Sequence, residues 1–329
     1  MIRPPDGLAI HDAVARLKSG GLVGLPTETV YGLAADAFNA EACARIFEVK
    51  ARPTFDPLIV HLAEASWLPR VADLAALSLA RRTLLERLVA RFWPGPLTLV
   101  LPKAAALPAI VTSGLATVAV RVPAHPVALA LLRALDRPVA APSANRFGEL
   151  SPTRPQHVVL GLGEAVGLVL DGGPCAVGVE STIVDLSGPE PQLLRPGGLP
   201  RELIEELLGG ALASGPAVLE RPLAPGQLAS HYAPSTPLHL LDGPAPHDGG
   251  AEDWGLLCFQ APPAHHHYGA VEALSPGGNL AESAARLFDC LHRLDGRRLR
   301  GLDAEPVPAL GLGLAIMDRL KKAAVKAGA

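Results

Sequence analysis

Apolar residues alternate between two spacings along the N-terminal part of the chain. Residues 10–17 place Ile, Ala, Val and Leu at helical spacing, and Gly20-Gly21 ends that pattern. Similar patterns predict helices at 39–50, 79–92 and 127–135. Short apolar runs predict buried strands at 22–25, 58–62, 97–101, 118–122, 139–141, 167–170, 182–186 and 192–194. Because strands and helices alternate, the pattern predicts an α/β fold built on a mixed, twisted sheet.

The pattern changes after Leu208. Residues 209–237 are rich in Gly, Ala, Pro and Ser without a sustained period, which is typical of a linker, although this one contains His231-Tyr232. Beyond it, apolar runs at 238–241 and 255–259 and helical patterns at 280–294 and 312–324 predict a smaller, Rossmann-like αβ unit. We therefore predict a first domain at 1–208, a linker at 209–237 and a C-terminal domain at 238–329.

Composition narrows the class of protein. The 329 residues are 49% hydrophobic and 19% charged, so the chain has enough apolar residues for a sizeable core. The net charge of −3 argues against a dedicated nucleic-acid binder, whose affinity depends on a basic surface. The four cysteines are far apart and form no C-x-x-C pair, so we expect reduced thiols and no metal site. Without a signal-like N-terminus or a long apolar stretch, we expect a cytoplasmic protein.

Two cations, Lys50 and Arg52, follow the helix predicted at 39–50, and Pro53 and Pro57 stiffen the segment behind them. Arginine offers a planar fork for phosphate oxygens and lysine a compact positive charge, so the pair suits a rigid anion site. The pattern leaves equally open that both cations only complement the negative end of the helix dipole. His61, at the end of the next apolar strand, by itself fits a core histidine with satisfied hydrogen bonds.

Polar side chains also accompany two further predicted strands. Ser143 and Asn145 follow the strand at 139–141, at the carboxyl end where α/β sheets usually bind ligands. An Asn/Ser turn is the favoured alternative when this segment is taken alone. Arg121 lies in the apolar run 118–122, where an arginine is costly unless it is paired or faces a ligand. A solvent-exposed edge strand is the alternative, but the flanking residues favour a central strand.

Six segments resemble the YrdC-like domain, occur in that family's order and together cover residues 8 to about 208. They are Leu25-Pro26-Thr27-Glu28-Thr29-Val30-Tyr31-Gly32-Leu33, Lys50 to His61, Trp93 to Thr98, Val118 to Pro123, Ala141 to Asn145 and Gly178-Val179-Glu180-Ser181-Thr182. Further along, His231-Tyr232-Ala233-Pro234 and the segment from Glu305 to Leu320 resemble the longer, two-domain threonylcarbamoyl-AMP synthases. One departure is that Pro225-Gly226 precedes Gln227-Leu228-Ala229-Ser230, where many relatives have a Met-Lys-Tyr-type segment. It leaves open whether this linker closes over the site.

The resemblance implies an L-threonylcarbamoyladenylate synthase, a nucleotidyltransferase that makes threonylcarbamoyl-AMP and pyrophosphate from L-threonine, bicarbonate and ATP. The product serves the threonylcarbamoyladenosine modification of tRNA. In this family the threonine amine takes up carbon dioxide, and the resulting carbamate attacks the α-phosphorus of ATP. Because this nucleophile is already anionic, the site needs positive charge and positioning more than a catalytic base.

The resemblance also assigns roles to single residues. The catalytic set that would hold the triphosphate is Lys50, Arg52, Ser143 and Asn145. ATP would also contact Asp56, Thr117, Ser151, Arg195 and Tyr232. The threonine pocket would contain Thr29, His61, Ser181 and Arg121, the last as partner of the threonine carboxylate. Mg²⁺ is expected to arrive on the ATP phosphates, since no carboxylate cluster that could cage it is visible, and no organic cofactor is implied.

Two rival functions remain at this stage. One is a non-catalytic module that binds double-stranded RNA or tRNA, which the negative net charge and the low aromatic content disfavour. The other is a carbamoyl transferase of hydrogenase maturation, but the paired C-x-x-C motifs and the acylphosphatase-like part of those chains are missing. For a synthase we expect a tRNA threonylcarbamoyl transferase complex as downstream partner, weak or indirect tRNA binding, and no membrane association.

Overall fold

The computed structural model describes residues 1–215, 222–228, 231–246, 248–262 and 264–325. Two β-sheets form within these ranges, each accompanied by helices, and the larger one mixes parallel and antiparallel neighbours. The α/β class that the sequence predicts is therefore confirmed, with a mixed sheet in the N-terminal unit and a smaller αβ unit behind it. None of the helices in these ranges is long and apolar enough to cross a membrane.

The N-terminal unit contains the larger sheet. Its helices are α1 (Gly7–Lys18), α2 (Ala40–Lys50), α3 (Leu68–Val71), α4 (Leu79–Phe92), α5 (Pro126–Leu135), α6 (Pro155–Leu162) and α7 (Arg201–Leu208). Its strands are β1 (Ile2–Arg3), β2 (Val23–Leu25), β3 (Gly32–Asp36), β4 (Ile59–His61), β5 (Leu97–Pro102), β6 (Thr117–Arg121), β7 (Val139–Ala140), β8 (Val169–Leu170), β9 (Thr182–Asp185), β10 (Gln192–Arg195) and β11 (Ala213–Ser214). They lie in the order β1-β8-β2-β3-β7-β4-β6-β5-β9-β10-β11.

The C-terminal unit contains a parallel sheet of four strands in the order β12-β15-β13-β14. These strands are β12 (Leu238–Leu240), β13 (Trp254–Cys258), β14 (Ala270–Ala273) and β15 (Gly301–Ala304), and the helices are α8 (Leu280–Asp295) and α9 (Gly313–Ala324). The sheet is parallel and α8 crosses over from β14 to β15, which agrees with the Rossmann-like αβ unit that the sequence predicts.

Several elements escape the sequence pattern for a common reason. β3 consists of Gly, Leu, Ala and Asp, residues of weak strand propensity, yet it is fully buried because β2 and β7 pair with it on either side. The short strands β14 and β15 depend on the same kind of pairing, and β15 is central to its sheet. β11 lies within the predicted linker, where it extends the edge of the larger sheet beside β10.

The two units share one hydrophobic cluster. Val30, Leu150 and Val179 of the N-terminal unit pack into the same buried cluster as Phe288 and Leu291 of α8. A polar contact lies beside it, where Arg154 Nε donates to Asp289 Oδ1 at 2.7 Å and the rings of His157 and His292 stack with centroids 3.8 Å apart. The C-terminal unit is therefore docked against loops of the first unit, including those with the segments 25–33 and 178–182, and not merely tethered to it.

Candidate active site

A cavity lies between the larger sheet and the linker, with an empty volume of about 510 Å³ that includes its opening to solvent. It begins where the parallel strands β4 and β6 end, because His61 and Arg121 are register partners and the last residues of these strands. The carboxyl ends of parallel strands are the usual ligand-binding edge of such sheets. The sequence-predicted site residues that line it are Thr29, Arg52, His61, Arg121, Ser143, Ser181, Arg195 and Tyr232.

One wall of the cavity is the loop that joins β2 to β3. Residues 26–31 close this hairpin, in which Leu25 pairs with Gly32. Thr27 donates to the carbonyl of Val30 at 2.6 Å, and its hydroxyl lies 2.9 Å from that of Thr29. These short internal bonds fix both threonines, which are almost fully buried, as neutral polar groups in the cavity wall.

Arg52 reaches the cavity because α2 ends just before it. Asn39 caps the start of α2 by accepting from Ala42, and Ala51 ends the helix in the left-handed conformation, with φ of 49°. Arg52 then donates to the carbonyls of Asp56 and Pro57 at 3.0 and 2.8 Å, and its Nη2 lies 2.9 Å from Asp56 Oδ2. Burial raises the pKa of Asp56, and the Arg52 charge opposes that shift. Asp56 is fully buried beneath Arg52 and does not line the cavity.

Lys50 lies one layer below the cavity surface. Its ammonium donates to the backbone carbonyls of Ser143 and Asn145, and the residue is 1% exposed. Burial, and next the charge of Arg52, lower the pKa of Lys50 well below its usual value. The Asn145 side chain points away from the cavity, donating to the carbonyls of Arg146 and Glu149. Of this predicted catalytic set, the structure therefore brings Arg52 and Ser143 to the cavity and places Lys50 and Asn145 behind them.

Arg121 belongs to a central strand, because β6 pairs with β4 on one side and β5 on the other. This excludes the edge-strand alternative. Its Nε donates to His61 Nε2 at 2.8 Å, and its Nη1 lies 3.3 Å from Glu28 Oε1. Since His61 Nε2 accepts, its proton must be on Nδ1, which lies 3.2 Å from the carbonyl of Ile59. Burial and the neighbouring Arg121 charge lower the pKa of His61 well below its usual value, so this ring is neutral.

Arg195, the last residue of β10, differs from the other arginines that line the cavity. Its Nη2 donates to the carbonyl of Ser181 at 2.8 Å and its Nη1 to the carbonyl of Pro225 at 3.1 Å. Within the described ranges no carboxylate lies at ion-pair distance from its guanidinium, whereas Arg52 has Asp56 and Arg121 has Glu28. Among the described residues, the groups that hydrogen-bond to the Arg195 guanidinium are therefore neutral.

The linker crosses the mouth of the cavity and contributes Pro225, Gly226, His231 and Tyr232 to its lining. Gly226 has a φ of +84°, and a Cβ there would lie 2.5 Å from the Tyr232 hydroxyl, so this crossing requires glycine. The Gln227 side chain accepts the N–H groups of Leu223 and Ala224, which closes the turn before it. Residues 227–230 stand where many relatives have a Met-Lys-Tyr-type segment, and of these Ala229 and Ser230 lie outside the described residues.

Besides Asp56, two more of the predicted nucleotide contacts lie apart from the lining. Thr117 is at the opposite end of β6 from Arg121, which at about 3.3 Å per residue is about 13 Å along the strand. Ser151 is fully buried and donates to the carboxylate of Glu180, which does line the cavity. The resemblance assigns no role to Glu28 or Glu180, although they lie in the segments 25–33 and 178–182 beside residues that have one.

Comparisons with known proteins agree over most of the chain. The family described as "Telomere recombination" (Sua5_yciO_yrdC) matches residues 15–197, and "Threonylcarbamoyl-AMP synthase, C-terminal domain" matches residues 199–325. The threonylcarbamoyl-AMP synthase of Pyrococcus abyssi is 41% identical over 324 residues, covering 95% of this chain and 93% of the relative. The Bacillus subtilis synthase is 41% identical over 326 residues, covering 96% and 92%.

A solved structure gives the same answer. The crystal structure of P. abyssi Sua5 complexed with L-threonine superposes with a TM-score of 0.88 at 39% identity, covering 99% of this chain and 97% of that one. The match extends over both sheets and over the linker between them, which neither rival function would require. By sequence and by fold, the chain belongs to the two-domain threonylcarbamoyl-AMP synthase family, and the sequence-based assignment to these enzymes is confirmed.

Proposed function

We propose that the cavity is the active site of an L-threonylcarbamoyladenylate synthase. Its substrates are L-threonine, bicarbonate and ATP, and its products are threonylcarbamoyl-AMP and pyrophosphate. The observation that carries this proposal is the convergence of three buried arginines, Arg52, Arg121 and Arg195, with the hydroxyls of Ser143 and Ser181 on one cavity. Buried cations that gather around a hollow indicate a polyanionic ligand, because they are otherwise costly to desolvate.

The reaction has two bond-forming steps. The threonine amine adds to the carbon derived from bicarbonate, with loss of water, to give an N-carboxylate. An oxygen of that carbamate then bonds to the α-phosphorus of ATP while the bond to the bridging oxygen breaks, and pyrophosphate leaves with its electron pair. Negative charge moves onto the departing phosphates, so fixed cations around them stabilise the transition state.

In this proposal the residues of the cavity divide between the two substrates. We assign Arg52, Ser143, Arg195 and Tyr232 to the nucleotide and its phosphates, and Thr29, His61, Arg121 and Ser181 to threonine. Arg195 fits a phosphate because no described carboxylate lies at ion-pair distance from it, whereas Glu28 pairs with Nη1 of Arg121 and orients that guanidinium for the threonine carboxylate. Lys50 and Asn145 act by holding the 143–145 turn, and Asp56 by orienting Arg52. Ser151 only fixes the position of the Glu180 carboxylate. Thr117 is the assigned contact that the lining supports least.

The histidines of the cavity do not supply a proton carrier. Both nitrogens of His61 lie within hydrogen-bonding distance of protein groups. Burial lowers the pKa of His231 to about 3, so its ring is neutral at physiological pH. Histidines that stay neutral and carry no proton suit a nucleophile that is already an anion.

Magnesium enters as part of the nucleotide substrate in this proposal. Among the described residues no group of three or more His, Cys, Asp or Glu side chains is placed to hold a metal ion. Mg²⁺ typically keeps several waters and binds through substrate phosphates in such sites. The protein's own groups then only need to receive the Mg·ATP complex.

We also propose that residues 209–237 form a lid between a catalytic domain at 1–208 and a C-terminal domain at 238–329. The carbonyl of Pro225 accepts a hydrogen bond from Arg195 Nη1, and Lys322 Nζ donates to the carbonyl of Gly226 at 2.6 Å. A phosphate that binds Arg195 would compete with the Pro225 carbonyl of the linker. Nucleotide binding and the position of the lid would therefore be coupled. Closure protects a carbamate and an adenylate from water.

If the linker is a lid, truncating Tyr232 should expose threonylcarbamoyl-AMP in the cavity to water. In Tyr232→Ala we expect the ratio of threonylcarbamoyl-AMP accumulated to pyrophosphate released to fall severalfold, because the buried ring is lost from the cavity mouth. Tyr232→Phe keeps the ring and should keep the ratio close to that of the wild type. An unchanged ratio in the alanine variant, measured by chromatography beside a pyrophosphate assay, would rule out the lid.

The product would pass to a tRNA threonylcarbamoyl transferase complex in the cytoplasm. With a net charge of −3, we expect tRNA itself to bind this chain weakly or indirectly. A salt titration of tRNA binding without ATP distinguishes this from the RNA-module rival, which requires tight binding with a steep salt dependence.

Substrate omission tests the reaction. Pyrophosphate release from ATP is expected only when L-threonine and bicarbonate are both present, and each omission should reduce it to background. Release that is independent of threonine would contradict the assignment. Replacing threonine with serine or valine under the same conditions then measures how strictly the threonine pocket selects.

A further inference from the structure

A buried arginine of the C-terminal unit contacts two residues that line the cavity. Arg319, on α9, is 0% exposed and is the bulkiest fully buried side chain of the described residues. Such a position is costly for a guanidinium unless its donors and its charge are matched. The groups that match it are therefore informative about its task.

Most of these partners belong to the N-terminal unit or the linker. Arg319 Nε donates to Glu180 Oε2 at 2.9 Å, and Nη1 donates to the carbonyl of Pro196 at 2.6 Å. Its guanidinium carbon lies 5.1 Å from the centre of the Tyr232 ring, within cation–π range. On its own helix, Asp318 pairs with Nη1 at 2.9 Å and with Lys322 at 2.7 Å.

Glu180 explains why a cation is needed there. It lines the cavity, on the wall that also carries Ser181 and Arg195, and it is 6% exposed. Burial alone would raise the pKa of Glu180, but the charge of Arg319, followed by that of Arg195, lowers it below its usual value. Glu180 is therefore an ionised carboxylate in the wall of a cavity proposed to bind a triphosphate, and like charges at short range in a buried site repel strongly.

We propose that Arg319 is a positioning residue of the active site: it neutralises Glu180 from the C-terminal unit and holds the Tyr232 ring over the cavity. This inference rests on the proposed binding of ATP in that cavity. It gives the C-terminal unit a defined part in nucleotide binding, because without Arg319 the carboxylate of Glu180 repels the phosphates that Arg195 attracts.

Charge removal in pairs tests the inference on the full-length protein. We expect Arg319→Gln to raise the KM for ATP at least tenfold while changing the KM for threonine much less. In Arg319→Gln/Glu180→Gln the repelling charge is gone, and the KM for ATP should return to within about threefold of that of Glu180→Gln. A KM for ATP in the double variant that equals or exceeds that of Arg319→Gln would overturn the proposal, because Arg319 would then act only on the packing of α9.

The single variant Glu180→Gln covers the case in which Arg319→Gln does not fold. It leaves the positive charge of Arg319 beside the cavity, so the KM for ATP should be equal to or below that of the wild type, and a KM at least threefold higher would contradict the proposal. Arg286→Gln is the matched control, since this arginine makes an exposed ion pair with Glu282 on α8 and should leave both KM values unchanged. Failure of the wild type to release pyrophosphate would instead refute the proposed function.

Discussion

Replacing Arg52 with alanine is expected to slow pyrophosphate release at least a hundredfold. Arg52 is the cation that both lines the cavity and is fixed by bonds to its own loop, through the carbonyls of Asp56 and Pro57. Removing one preorganised electrostatic contact of this kind typically costs about 3–4 kcal/mol in the transition state. Initial rates at saturating ATP and threonine, compared with the wild type, measure the effect.

The same change also removes the ion-pair partner of Asp56, which is fully buried. Leaving a buried charge unpaired typically destabilises a fold by about 3–5 kcal/mol, so a loss of activity could come from unfolding. Arg52→Ala/Asp56→Asn separates the two effects: it should regain much of the thermal stability but none of the activity. Arg70→Ala, which breaks an exposed pair with Asp136, is the control and should change neither. Pyrophosphate release by Arg52→Ala at nearly the wild-type rate would refute the assignment of the phosphate site.

Removing the ammonium of Lys50 is expected to have a comparable effect by another route. Lys50→Ala or Lys50→Met should lower turnover at least a hundredfold, because the carbonyls of Ser143 and Asn145 lose the donor that holds their turn. Buried polar groups left without partners cost about 1–3 kcal/mol each, and the turn that presents Ser143 to the cavity would shift. Steady-state kinetics of pyrophosphate release measure the loss.

A double-mutant cycle distinguishes positioning from direct contact. If Lys50 acts by placing Ser143, then Lys50→Met/Ser143→Ala should be hardly slower than Lys50→Met, since the hydroxyl is already out of place. Multiplied losses in the double variant would instead mean that Lys50 and Ser143 contact the substrate independently. Lys103→Met, on a lysine that only donates to nearby carbonyls of Ala104 and Leu107, serves as the control for loss of a lysine.

Much of the framework could be predicted from the spacing of apolar residues. The helix predicted at 79–92 coincides with α4, and those at 39–50 and 127–135 agree with α2 and α5 within one residue at each end. The helix cap at Asn39 can also be predicted from the sequence, because a side chain that accepts from the third residue of a helix is a local feature. Elements that depend on distant partners cannot be predicted in this way. The segments β3, β14 and β15 are strands because of the neighbours they pair with.

The chemistry divides along the same line. By itself the sequence determined the residue types and their order: Lys50 and Arg52 at the end of α2, the polar turn at 143–145, and Arg121 within an apolar strand. Only the tertiary structure decided their depth, putting Arg52 at the cavity surface, Lys50 one layer below it, and Arg319 of a distant helix against Glu180. The physical reason is that helical and strand periods, caps and turns are set within a few residues, whereas burial and charge pairing depend on which segments the fold brings together.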